Sequence, residues 1–133
     1  MIAIALSVAS ALGGVLCAEA RGMLDMPDGL REVAAIAQVA QNIAHRDARS
    51  MQSVVRTPGQ WARPTCPAGA ARRFEAVARR FLAGSLAVPR WARHAVAFCT
   101  VRASRRVGAR WRRLGFVPIN GTRTIHVFWR HTR

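Results

Sequence analysis

The sequence predicts a mainly helical fold closed by a small C-terminal β-hairpin. Three observations predict it. Apolar residues recur at a helical period in two long stretches, 30–45 and 70–83. A charge-free, Ala-rich run occupies Met1 to Ala18. Near the C-terminus Asn120-Gly121 separates two short apolar segments, and Asn-Gly is the strongest two-residue hairpin signal. With 133 residues, 51% of them apolar, the chain suffices for one hydrophobic core and is short for two, so residues 1–133 are read as a single domain.

Three readings compete for Met1–Ala18. A cleaved signal peptide fits the small-residue end but lacks a basic n-region. A transmembrane helix needs about 20 apolar residues, and this run falls short while carrying Ser7, Ser10, Gly13 and Gly14. A buried first helix fits both the length and the alanine content. A weakly apolar membrane segment that later joins the fold lies between the last two.

Glu19 follows this run as an isolated carboxylate. At the mouth of an apolar segment such a charge is costly unless it is paired, hydrated or kept protonated. A protonated carboxyl can serve as a general acid. The plainer alternative is that Glu19 starts a mature chain.

Pro27, Asp28 and Gly29 mark a loop. From about Leu30 to His45 the residues Val33, Ile36, Ala37, Ala40, Ile43 and Ala44 form one helical face, and His45-Arg46 suit the negative end of the helix dipole. Ser50–Val55 reads as a short helix. Thr57-Pro58-Gly59-Gln60-Trp61 reads as a turn presenting an amide and an indole, and Pro64, Pro67 and Gly69 extend it. Residues 70–83 place Phe74, Val77, Ala78, Phe81 and Leu82 on one face, with Gly84 as the stop. Pro89 suits the first turn of a helix whose apolar side is Trp91, Ala92, Ala95, Val96, Phe98 and Cys99. Val101–Leu114 continues that helix or forms another, crowded with arginine. The hairpin then joins Phe116–Ile119 to Thr122–Phe128, with Ile125, Val127 and Trp129 alternating with His126, Phe128 and Arg130.

The net charge is +15, and all 21 basic residues are arginine. The six carboxylates lie at or before Glu75, whereas residues 76–133 carry thirteen arginines and no acid. Such a surface suits a polyanion: nucleic acid, anionic lipid or an anionic cell envelope. Cys17, Cys66 and Cys99 show no disulfide framework and no zinc spacing, so small buried apolar residues are the expectation, with one disulfide open to an exported chain. His45, His94, His126 and His131 lack ligand spacing, and no metal or other cofactor is expected.

Several segments in order resemble the SleB-type cell wall hydrolases, lysozyme-like domains that cleave peptidoglycan. Ala18-Glu19-Ala20-Arg21-Gly22 matches that family's opening motif. Asn42-Ile43-Ala44-His45-Arg46 is similar to the end of its apolar helix. Val54-Val55-Arg56-Thr57-Pro58-Gly59-Gln60-Trp61 looks like its Val-Val-x-x-Pro-Gly-Gln-Phe segment with Trp for Phe. Ala76–Gly84 is similar to its Ala/Leu/Gly helix, and His126-Val127-Phe128-Trp129-Arg130 to its closing His-x-Phe-Tyr. Two departures stand out: a longer loop after Gly22, and Ala97-Phe98-Cys99-Thr100 where the family often has a Thr-His-Tyr-His-like stretch.

The resemblance implies a lysozyme-like helical fold and cleavage of the β-1,4 bond between MurNAc and GlcNAc, usually as a lytic transglycosylase. Glu19 would be the catalytic acid and then the base. Gln60 and Trp61 would line the sugar cleft, Trp61 being equally readable as a core anchor. His126 and Phe128 would contact substrate or, more simply, support the cleft. One carboxylate suffices for this route, because the C6 hydroxyl of MurNAc is the nucleophile. A two-carboxylate glycosidase needs a partner across the cleft. Asp25, Asp28 and Glu32 are the nearby acids, and all three read as solvated loop or first-turn charges.

The resemblance also implies a bacteriophage lysin, free or carried in the virion, acting at the cell envelope or periplasm. The arginine-rich half would hold it on the anionic envelope, and other virion proteins are candidate partners. Two rival classes remain: a non-catalytic virion protein with a lysin fold, and a nucleic-acid-binding module. The second is disfavoured, since no helix-turn-helix, RNP or zinc pattern is present.

Overall fold

The computed structural model describes residues 2–57, 60, 61, 66–120 and 125–132, with side chains from Val8 onward. Pro58 and Gly59 of the Pro-Gly-Gln-Trp motif, and Gly121 of the expected turn, lie outside the described residues. The described chain is mainly helical with a small C-terminal antiparallel sheet. Five helices run α1 (Ile2–Ala20), α2 (Gly29–Arg46), α3 (Met51–Val55), α4 (Ala68–Leu82) and α5 (Val101–Arg113). Three strands, β1 (Ala97–Thr100), β2 (Phe116–Pro118) and β3 (His126–His131), form a sheet of order β1-β3-β2.

α2 is the central helix. From Glu32 to Ala40 every residue except Gln38 is buried, because alanine and β-branched residues let neighbours close in on several sides. Around it pack Leu12, Leu16 and Cys17 of α1, Val54 of α3, Phe74 and Ala78 of α4, and Phe128 of β3. α1 thus forms part of the core through its C-terminal half. Among the described residues no helix is long and apolar enough to cross a membrane.

α1 and α4 approach closely at Gly13, where a Cβ would sit 2.7 Å from the Cα of Glu75. Replacing Gly13 with valine is expected to push the helices apart and destabilise the fold by about 1–3 kcal/mol, the usual cost of overpacking. Urea unfolding of G13V against G14V checks this, since nothing lies within 4 Å of a Cβ at Gly14. α4 stops where expected. Gly84 takes a left-handed φ of 74°, its N–H donates to the Phe81 carbonyl at 3.0 Å, and the Ser85 N–H donates to the Arg80 carbonyl at 2.9 Å. α3 begins at Ser50, whose hydroxyl accepts from the Ser53 N–H at 3.1 Å.

Three expectations are corrected. The helix expected after Pro89 is only a 3-10 turn, Arg90–His94, followed by β1. Val96, Phe98, Cys99 and Thr100 suit a pleated, half-buried surface, and β3 offers them an open backbone edge: Phe98 pairs with Phe128 and Cys99 with Val127. Thr100 then caps α5 by accepting from the Ala103 N–H at 3.1 Å, so α5 is a separate helix.

The hairpin is present without a two-residue Asn-Gly turn. Pro118 pairs with Trp129, and the Ile119 N–H donates to the Phe128 carbonyl at 2.9 Å, so the connection is longer. Asn120 works as a bridge, donating to the His126 carbonyl at 2.8 Å and accepting from the Phe128 N–H at 2.7 Å. Along β3, His126 to Trp129 are all buried. The Trp111 side chain of α5 meets Trp129 edge-on at 5.2 Å and covers that side of the strand.

The third correction is the disulfide between Cys17 and Cys66, two cysteines expected to be simple buried residues. Their spacing of 49 residues carries no signal in the chain.

Candidate active site

Glu19 lies in the last turn of α1, half-buried, between two open cavities. One, of about 280 Å³, is lined by Glu19, Gln60, Trp61, Phe98 and Trp111. The other, of about 220 Å³, is lined by Glu19, Arg21, Met23, Thr100 and His126. The carboxylate therefore stands between the two halves of a discontinuous cleft. Among the described residues, no other carboxylate lines either half.

The segment bearing Gln60 and Trp61 is anchored from below. The Trp61 indole N–H donates to the Val54 carbonyl at 2.9 Å. Arg49 reaches across the end of α3 to the Ser53 carbonyl at 2.9 Å and to the Thr57 hydroxyl. The Cys17–Cys66 bond fastens the far side of the same segment to α1, two residues before Glu19. Trp61 is thus both core anchor and cavity wall: it is 8% exposed, and what it shows is turned to the cavity. Gln60 is exposed and lines the same cavity. Reducing the disulfide, or Cys66→Ser, is expected to cost about 2–4 kcal/mol by freeing the unfolded chain. Denaturant melts with and without reductant check this.

His126 sits on the second cavity, beside Glu19. Its Nδ1 is 2.8 Å from Glu32 Oε1, and its backbone N–H donates to the same oxygen at 2.6 Å. Glu32 and His126 are 5% and 4% exposed, so Glu32 is not the solvated first-turn charge expected of it. A signal was present in the sequence. Glu32 precedes Ile36, Val39 and Ile43 at helical spacing, and a carboxylate on an apolar stripe requires a buried partner. One Glu32 oxygen thus meets both the backbone and the ring of His126, and the two contacts together fix how the ring is turned.

Phe128 is fully buried and is not among the residues lining either half of the cleft. It backs Phe98, at 5.7 Å between ring centroids, and Phe98 does reach the cavity, beside Trp61 and Trp111. Phe98 also meets His126 edge-on at 5.5 Å and lies 6.1 Å from Trp61. Sequence reasoning placed Phe98 on a helix and missed this role, because its position depends on β1 joining β3.

The other acids are engaged elsewhere. Asp25 pairs with Arg73 at 3.1 Å and Glu75 with Arg79 at 3.1 Å. Asp47 bonds Arg46 at 2.9 Å, and that bond holds its carboxyl below the usual range. Asp28 precedes α2 in a left-handed conformation and borders a different cavity. Burial pushes the Cys99 thiol up, with the Trp129 indole opposing, so Cys99 is no ready nucleophile. Among the described residues no group of three His, Cys, Asp or Glu side chains could hold a metal ion. No family model, no curated protein and no solved structure matches the chain.

Proposed function

We propose that the chain is a peptidoglycan-cleaving enzyme of the SleB type, acting on the β-1,4 bond between MurNAc and GlcNAc as a lytic transglycosylase. The observation that carries this reading is the meeting of Glu19, Gln60 and Trp61 in one cavity, from two segments far apart in the chain. These are the residues the motif resemblance assigns to the acid and to the sugar contacts.

In this reading a strand lies across Glu19, one sugar in each half of the cleft. The Glu19 carboxyl gives its proton to the glycosidic oxygen as the C1–O bond breaks and positive charge grows at C1 and the ring oxygen. The resulting carboxylate takes the proton of the MurNAc C6 hydroxyl, whose oxygen bonds to C1. The product is a 1,6-anhydro sugar, and no water is consumed. The absence of a second carboxylate from either half of the cleft, among the described residues, favours this route over a two-carboxylate hydrolysis. The Gln60 amide suits the N-acetyl groups, and the aromatic wall suits a sugar ring.

On α5, Arg102, Arg105, Arg106, Arg110, Arg112 and Arg113 are exposed, a face suited to an anionic envelope. We place the enzyme at the bacterial envelope as a phage lysin, free or within the virion.

Mass spectrometry of muropeptides released from purified peptidoglycan tests the proposal. Anhydro-muropeptides are the expected product. Reducing-end muropeptides would replace the transglycosylase with a hydrolase. No release at any protein concentration would leave the lysin-fold structural protein as the better reading, and salt-sensitive DNA binding without release would favour the nucleic-acid module.

A further inference from the structure

Three of the chain's four histidines line a single cavity, although they are scattered in the sequence. His45 and Arg46 come from the last turn of α2, Arg93 and His94 from the 3-10 turn, and Arg130 and His131 from β3. The cavity holds about 400 Å³, and among the described residues no carboxylate lines it. Asp47, next along the chain, partly offsets Arg46 from outside the lining. The Asn42 amide donates to the Ala95 carbonyl at 2.7 Å and the Ala92 carbonyl at 3.3 Å, which fixes Arg93 and His94 beside the end of α2. Arg46 Nη1 in turn lies 3.5 Å from His131 Nε2, so α2 and β3 meet at this wall.

Three guanidinium groups and three imidazoles around one hollow favour an oxyanion, which planar guanidinium can grip through two parallel bonds. Val96 lines both this cavity and the one holding Glu19, Gln60 and Trp61. The two cavities therefore adjoin at Val96.

We propose that this cavity is an anion subsite of the cleft and that it takes a carboxylate of the peptide stem borne by MurNAc. This rests on the peptidoglycan reading for the ligand's identity, and on the lining residues alone for its charge. The subsite anchors the strand at a branch point, so the enzyme favours peptide-bearing strands over glycan stripped of its peptides.

Histidine side-chain NMR tests this on the intact Glu19→Gln protein, with a stem tetrapeptide in one titration and inorganic phosphate in the other. The expected result is saturable shifts of His45, His94 and His131 with the peptide, and none at His126, which is buried against Glu32. The double variant R93A/R130A is expected to weaken peptide binding by about tenfold or more, as two charge-assisted bonds are lost. Absent shifts, shifts spread equally over all four histidines, or an unchanged affinity in the double variant would overturn the subsite. Saturation by phosphate but not by the peptide would overturn the carboxylate assignment. The readout does not involve turnover. Selective peptide shifts in a protein that releases no muropeptides would remove the enzyme reading and leave the subsite, and release without shifts would do the reverse.

Discussion

Glu19→Gln is expected to lower muropeptide release by a factor of about 10²–10⁴, the span a positioned general acid contributes. The fold should survive. Glu19 is half-buried at the end of α1, its neighbours in the core are Leu16, Cys17 and Ala20, and glutamine keeps the volume and the polar tip. What glutamine lacks is a proton to give the leaving oxygen and a basic oxygen to take one back, so both halves of the anhydro-forming route fail together. Release assayed at equal protein concentration, beside a thermal melt, separates chemistry from folding. Release by E19Q at the wild-type rate would remove Glu19 from the mechanism.

Glu32→Ala is expected to be the most destabilising single change, at about 3–5 kcal/mol, the cost of leaving one half of a buried polar pair behind. One carboxylate oxygen meets both the His126 ring and the His126 backbone N–H, so its loss removes two contacts at once in a nearly dry site. In a domain of this size the melting temperature should fall by roughly 10–20 °C. Glu32→Gln should cost far less, because its amide oxygen can still meet both groups. Activity should follow the same order even where both proteins are folded, since His126 forms part of the wall beside Glu19. Equal melts for Glu32→Ala and wild type would mean the pair holds nothing together.

Much of the fold was legible because local rules and burial agree in this chain. The α2 and α4 stripes, the Ser50 start of α3 and the Gly84 stop each follow from one short window of residues. Strand β1 was not legible. Ala97–Thr100 is too short to show a period, and it becomes a strand only because β3 leaves it a backbone edge. The site divides the same way. Glu19, Gln60 and Trp61 could be picked out as residues, since a lone acid and a Pro-Gly turn carrying an amide and an indole are local features. Glu32 carried a hint, a charge on an apolar stripe, without a named partner.

By itself the sequence determined the helices α2, α3 and α4, the stop of α4 at Gly84, the concentration of positive charge in the second half, and the small set of acids. These follow from hydrophobic period, capping and composition, all local quantities. Only the tertiary structure decided that Cys17 meets Cys66, that Glu32 meets His126, that Phe128 backs the cleft while Phe98 lines it, and that three scattered histidines share one basic hollow. Each joins residues far apart in the chain, and packing around α2, not spacing along the backbone, sets what lies next to what.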